Sequence, residues 1–294
     1  MTSSASNGPA GGPTGGPTDG PTDGPTDGSA RDLGTSVVVT GAARGIGRGI
    51  AERMVARGHR VVVTDLDGDG ARRTAEEIGA AVGLAQDVRD PDSHREVAEV
   101  AKRLGPLAAW FNNAGVGYDG DLVELSDEQA RALVEVNLLG VVWGTRAAID
   151  AFGPAGGDVV MTASLSAHGP VPGLSVYAAT KAAVVSLAMS VNIETPSHVR
   201  IHALCPDAVD TAMVESMADH GTAKALVHSG GRLLTVDQAA DAAVSLVGSR
   251  RVVRTYPLWR GALSRYTALT PGSSARSLPL FIGVGRRVMA RRAR

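Results

Sequence analysis

The spacing of apolar and polar positions changes period repeatedly along this chain. Val37-Val38-Val39 is a short β-branched run of the kind that forms a buried strand. Just beyond it Ile50, Met54 and Val55 share one face at helical spacing. The alternation then continues. Strands are predicted over residues 60–64, 81–85 and 107–111, with a helix over 91–104 between the last two. A capping-box pattern, Ser126 with Gln129, opens a long helix. Val159-Val160-Met161 is the next strand, and a helix follows that carries Tyr177 and runs to residue 193. Residues 199–204 form another strand. A second capping-box pattern, Thr235 with Gln238, starts a helix to residue 247. Between them, residues 211–234 show no clean period, as a mobile lid would. Strands alternating with helices predict an α/β fold, a doubly wound parallel sheet that binds ligands at the carboxyl ends of its strands.

The two ends of the chain differ from this body. Residues 1–35 are rich in Gly, Pro, Thr and Asp, with Gly-Pro-Thr-Asp recurring at Gly16, Gly20 and Gly24. With almost no apolar side chains to offset ordering entropy, this stretch is expected to be disordered, and it lacks the basic start and apolar run of a signal peptide. Residues 36–250 form the expected domain, and residues 251–294 a basic extension. From Ala242 onward there are eleven arginines, no lysine and no acid, which leaves 18 basic against 30 acidic residues in the rest. The overall charge of −1 conceals this asymmetry. Composition is otherwise that of an ordinary core-forming protein, 44% hydrophobic and 20% charged, but aromatics make up only 3%, so the core must be aliphatic. A single cysteine, Cys205, excludes an internal disulfide, suits a reducing, cytoplasmic compartment and is expected in the core. No run of about 18 apolar residues suggests a membrane span.

Candidate chemistry sits where the predicted strands end. Thr40-Gly41-Ala42-Ala43-Arg44-Gly45-Ile46-Gly47 joins the first strand to its helix, the context in which backbone N–H groups approach a pyrophosphate. Asp65 ends the second strand, placed to accept from ribose hydroxyls and to repel a 2′-phosphate; Arg44 pulls the other way, and Asp65 is weighed more heavily. Asp87-Val88 follows the third strand as an adenine-edge contact. Asn137 stands in an apolar helical run, where a buried amide must bond either to backbone or to a water. Tyr177 and Lys181 are four residues apart on one helix, so the ammonium is expected to lower the phenol pKa and make Tyr177 a proton carrier, with Ser164 supplying a hydroxyl beside it.

Taken together, Thr40-Gly41-x-x-x-Gly45-x-Gly47, Asn112-Asn113-Ala114-Gly115, Asn137, Ser164 and Tyr177-x-x-x-Lys181 resemble the short-chain dehydrogenase/reductase family over residues 36–247. The resemblance implies a Rossmann fold and a homodimer or homotetramer. It implies that Tyr177 is the acid/base and that Ser164 holds the substrate oxygen. Lys181 would lower the Tyr177 pKa and bind the nicotinamide ribose, and Asn137 would hold a water in a proton relay. Gly41, Arg44, Gly45, Ile46, Gly47, Asp65, Asp87, Val88, Asn113, Ala114 and Gly115 would bind the dinucleotide, with Pro206, Val209 and Thr211 cradling its nicotinamide amide. Two departures stand out: Asp207 replaces the family's glycine after Pro206, and an Arg-rich tail replaces its C-terminal Asp-Gly-Gly stretch, which puts the tetramer contacts in question.

The function expected is hydride transfer between NAD(H), or alternatively NADP(H), and a secondary alcohol or ketone, without a metal. Val171, Leu174 and Val176 are expected to form an apolar wall for the substrate. A silent dinucleotide-binding sensor or scaffold is the competing class, and no recognition motif supports nucleic-acid binding. For the tail, two readings stand. It docks on protein and walls the pocket with Trp259 and Tyr266 inward, cut into short pieces by Pro257, Pro271 and Pro279; or its last helix lies on an anionic membrane surface. Docking on protein is preferred.

Overall fold

The structure, a computed structural model, describes residues 34–219 and 221–292; the expected disordered tail lies outside them. Seven parallel strands form one sheet in the order β3-β2-β1-β4-β5-β6-β7. In chain order the elements are β1 (Ser36–Thr40), α1 (Gly45–Ala56), β2 (Arg60–Asp65), α2 (Gly68–Ile78), β3 (Val82–Ala85), α3 (Pro91–Leu104) and β4 (Leu107–Asn112). Then come α4 (Asp127–Val134), a π-helical turn (Glu135–Leu139), α5 (Gly140–Ala151), β5 (Gly157–Thr162), α6 (Ser175–Glu194) and β6 (Val199–Pro206). The chain continues with α7 (Ala212–Glu215), α8 (Thr222–Val227), α9 (Val236–Val244), β7 (Val253–Tyr256), α10 (Leu258–Leu269) and α11 (Pro271–Arg292).

Strand side chains alternate between two core layers, as the pleat requires. Val38, Val62, Trp110 and Val159 point to the layer holding Val97, Val141 and Val184 from α3, α5 and α6. Val37, Val39, Val61 and Val63 point to the other, with Ile50 and Met54 of α1 and Ala240 of α9. Both layers are aliphatic apart from Trp110 and Phe111, and Cys205 is buried among them as expected. Both capping boxes form: Ser126 Oγ accepts from Gln129 N at 3.2 Å, and Thr235 Oγ1 accepts from Gln238 N at 3.1 Å.

Several expectations need correction. The long helix is interrupted by the π turn. Residues 211–234 hold α7, α8 and a 3-10 turn (His228–Gly230) where no regular structure was expected. The seventh strand comes from beyond the expected domain limit at residue 250, and Pro279 lies inside α11 without dividing it. Asp127–Ala151 and Ser175–Glu194 are long and apolar enough, by composition alone, to cross a membrane, although no such run was anticipated; each contributes side chains to the core layer beneath it.

At the amino end of the sheet, Asp158 is almost fully buried and holds three neighbours. Its oxygens accept from Arg200 Nε and Nη2, each at 2.7 Å, and from Gly248 N at 3.1 Å, and lie 2.9 Å from His202 Nε2. Burial alone would raise the Asp158 carboxyl, but His202, Arg200 and the Gly248 amide together hold it below the ordinary carboxylate value. The stability it contributes is therefore complete above the unfolded pKa of about 4 and is lost as pH falls through the lower folded value. Asp158→Ala strands a partly buried guanidinium and should cost about 3 kcal/mol in urea unfolding at neutral pH. A loss under about 1 kcal/mol would mean that the cluster is a solvated surface pair.

Candidate active site

The strand order reverses between β1 and β4, which opens a crevice at their carboxyl ends. There the glycine loop meets the Asn113 segment. Gly41 has φ +62°, and a side chain on it would come within 2.6 Å of Ala114 Cα. Gly45 is also left-handed, at φ +57°, yet nothing lies closer than 3.9 Å to where its Cβ would be. That free space stands at the amino end of α1, whose N-cap residue Arg44 makes no side-chain capping bond. Unpaired N–H groups beside an open cradle suit a pyrophosphate.

Asn113 ties the strand ends together. Its Nδ2 donates to Thr40 O and Gly41 O, both at 3.1 Å, while its Oδ1 accepts from Thr162 Oγ1 at 3.2 Å. Thr40 Oγ1 accepts from the backbone N–H groups of Asn113 and Ala114 at 3.0 and 3.1 Å. Asp65, at the end of β2, accepts from Ala43 N and Asp67 N, each at 3.1 Å, so its carboxylate is fixed against the glycine loop. Asp65, Arg44, Asp87, Val88 and Gly115 all line one groove. Asp87 is not a free adenine contact, however: Arg89 grips its carboxylate at 2.6–3.0 Å and holds its pKa down. Val88 is buried, and its carbonyl lies 2.9 Å from His94 Nε2.

Asn137 falls in the π turn, a distortion common at functional sites. Of the two possibilities left open for its amide, the backbone one is realised: Oδ1 accepts from Val116 N at 2.8 Å and Nδ2 donates to Val116 O at 2.9 Å. Gly115 sits between Asn137 and Lys181, since a Cβ there would be 3.1 Å from Asn137 Oδ1 and 3.6 Å from Lys181 Nζ.

Tyr177 and Lys181 share a face of α6, with Lys181 Nζ 5.6 Å from the Tyr177 ring centroid. Ser164, just past β5, accepts from Ser166 N at 3.1 Å. The expected electrostatics do not hold here. Burial pushes the Tyr177 phenol up, with the Ser164 hydroxyl pulling the other way. Burial also pushes Lys181 down to about 8, against a smaller opposing effect of Cys205. The ammonium is instead spent on Thr162 O, to which it donates at 2.7 Å.

Ser164 and Tyr177 face a second cavity of about 260 Å³. Val171 and Leu174 line it as expected; Val176 does not. Thr162, Thr211 and Ile46 border both this cavity and the groove, so the two adjoin there. Pro206 and Val209 belong to the apolar cavity; Thr211 Oγ1 donates to Val209 O at 3.2 Å. The tail closes the far side with Arg260, Leu263, Leu278 and Phe281. Trp259 and Tyr266 are exposed and take no part in that wall. Asp207 finds its partner here: Arg260 Nη2 donates to its Oδ1 at 3.3 Å, and Arg260 Nε stands 2.8 Å from Oδ2 in an ion pair. Both side chains are largely buried, and the complementary change, an Asp in the loop and an Arg in the tail, was readable only once they were seen together.

The family model for short chain dehydrogenases matches residues 35–222. The chain belongs to the short-chain dehydrogenase family. Among similar proteins, a 1-deoxy-11-beta-hydroxypentalenate dehydrogenase from Streptomyces avermitilis is 35% identical over 229 residues, 74% of this chain and 82% of the relative. A sorbitol dehydrogenase from Cereibacter sphaeroides is 37% identical over 182 residues, 60% of this chain and 71% of the relative. Among solved structures, a short-chain dehydrogenase/reductase from Burkholderia phymatum in complex with NAD superposes with a TM-score of 0.72 at 26% identity, over 79% of this chain and 92% of that one. A 3-ketoacyl-(acyl-carrier-protein) reductase from Brucella melitensis complexed with NADH gives 0.68 at 31% identity, over 76% and 96%. As a short-chain dehydrogenase, the protein is an oxidoreductase of alcohols with a dinucleotide-binding Rossmann fold.

Proposed function

We propose that this short-chain dehydrogenase transfers hydride between NAD(H) and a secondary alcohol or ketone on an apolar skeleton. The observation that carries the reading is the meeting of two cavities at Ile46, Thr162 and Thr211: a polar groove ending in an open helix N-terminus, and an apolar chamber lined by Ser164 and Tyr177. The dinucleotide supplies the hydride when bound. The residues of this chain supply the rest.

In the reducing direction Tyr177, kept protonated by burial, gives its proton to the substrate oxygen while Ser164 holds that oxygen by hydrogen bonding. In oxidation the proton returns to Tyr177. Lys181, whose Nζ lies 5.6 Å from the Tyr177 ring centroid, is placed to return a proton to the phenol. The relatives, dehydrogenases of sorbitol and of 1-deoxy-11-beta-hydroxypentalenate, agree with hydroxyl chemistry. The Leu263, Leu278 and Phe281 wall favours a bulky apolar substrate over a small polyol.

Preference for NAD(H) over NADP(H) rests on Asp65, held in place by two backbone amides, and agrees with the NAD and NADH in the similar structures. A 2′-phosphate in the groove would meet this carboxylate, whereas Arg44 lines the same groove and would attract it. Asp65→Ala is expected to lower the ratio of kcat/KM for NADH over NADPH by about tenfold or more, the equivalent of about 1.4 kcal/mol. A wild-type enzyme that favours NADPH would show Arg44 to be the stronger influence.

A further inference from the structure

The tail helices have two faces, and the pocket uses one of them. On α10 the side carrying Gly261 is pressed against Thr255, and Arg260 and Leu263 reach the cavity. On α11 Gly285 packs against the Ala225 carbonyl, with Leu278 and Phe281 reaching the cavity. Their opposite sides face solvent, and their chemistry is unusual for a water-facing surface. Leu258, Trp259, Ala262, Tyr266 and Leu269 recur at helical spacing along α10 and are all exposed, with Trp259 61%, Tyr266 66% and Leu269 81% accessible. Along α11, Arg276, Leu280, Val284, Arg287 and Arg291 form one exposed stripe, with Leu280 69% accessible. No acid occurs anywhere after Asp241.

We propose that this outer face of α10 and α11 docks on an anionic lipid bilayer. Aromatic and aliphatic side chains on one helix, beside arginines on the next, form the pattern of a helix pair lying in a membrane interface. The apolar groups enter the acyl boundary, and the arginine stems run along it while their guanidiniums stay among the phosphates. Two facts favour lipid over a second copy of the chain. The stripe is uniformly basic, with no acid to pair in a self-complementary contact. The same helices also wall the apolar chamber, so a substrate dissolved in the bilayer would meet the pocket at its own boundary. The surface goes beyond the hydride-transfer reading and does not depend on it.

The test is flotation of the full chain with phosphatidylglycerol-containing vesicles and with pure phosphatidylcholine vesicles, alongside light scattering without lipid. The wild type should float with the anionic vesicles and at least about tenfold less with the neutral ones. Each basic residue near such a surface is worth about fivefold in partitioning, so Arg276→Gln with Arg287→Gln and Arg291→Gln should reduce flotation about a hundredfold. Trp259→Ser with Tyr266→Ser and Leu269→Ser should also abolish it. Neither set touches the catalytic residues, and mass in solution and turnover of a water-soluble ketone should be unchanged. Absence of wild-type flotation, or equal flotation by both triple variants, overturns the proposal. So does a fall in solution mass in either variant with no lipid binding, which would assign the face to a second copy. Flotation needs no substrate, so a failure to find turnover would leave this result standing, and the reverse also holds.

Discussion

Tyr177→Phe should reduce turnover by about 10²–10⁴, the usual range for a positioned acid–base group, and leave NADH binding nearly unchanged. The substitution removes one oxygen from a ring packed against the apolar chamber and leaves the groove residues Asp65, Asn113 and Gly115 as they are. The ring itself is retained, so no cavity opens and the fold should not be weakened. Because burial raises the phenol pKa, the wild-type group is a proton donor throughout the neutral range. Reduction should therefore hold its rate through neutral pH and fall at alkaline pH as Lys181 and then the phenol lose their protons. The variant should have no such limb. A variant within about tenfold of wild type would show that another group carries the proton.

Lys181→Met should lower turnover by at least about 10² and change the pH dependence of stability in a defined direction. A lysine held at about 8 in the folded protein is normally near 10.4 when unfolded. Between those values the unfolded chain binds more protons than the native one, so wild-type stability must rise as pH rises from about 8 to 10.4. At neutral pH the buried ammonium costs about 3 kcal/mol, offset in part by its bond to Thr162 O. Methionine removes both effects, so stability at pH 7 should rise by about 1–2 kcal/mol, and the alkaline gain should vanish. Urea midpoints at pH 7 and pH 10 for the two proteins decide it. An equal alkaline gain in both would mean that Lys181 is solvated in the native state.

The sheet was largely readable because its strands are buried on both faces. Val37-Val38-Val39 and Val61-Val62-Val63 have no polar interruption, and strands of that kind announce themselves as apolar runs. The seventh strand, Val253–Tyr256, is an edge strand of four residues including Arg254, so it carries no such run. The short helices α7 and α8 lie below the length at which periodicity is visible.

In the site, the spacing of Ser164, Tyr177 and Lys181 was sufficient to bring them together. Their pKa shifts were not readable, because spacing reports distance and not burial. In the tail, helical spacing shows which residues share a face but not which face turns inward. There the glycines decided it: Gly261 and Gly285 let α10 and α11 approach Thr255 and Ala225 closely, and Trp259 and Tyr266 turned outward. The Asp207–Arg260 pair spans 53 residues of sequence, a separation over which no local pattern links an acid to its base.

The most direct test is to reduce a panel of bulky apolar ketones with NADH deuterated at nicotinamide C4 and to locate the label in the product. The account predicts deuterium on the carbinol carbon of at least one product formed by the wild type, and none formed by Tyr177→Phe on the same time scale. NADH binding by the wild type with no label transferred to any ketone would contradict it and leave the protein as a dinucleotide sensor.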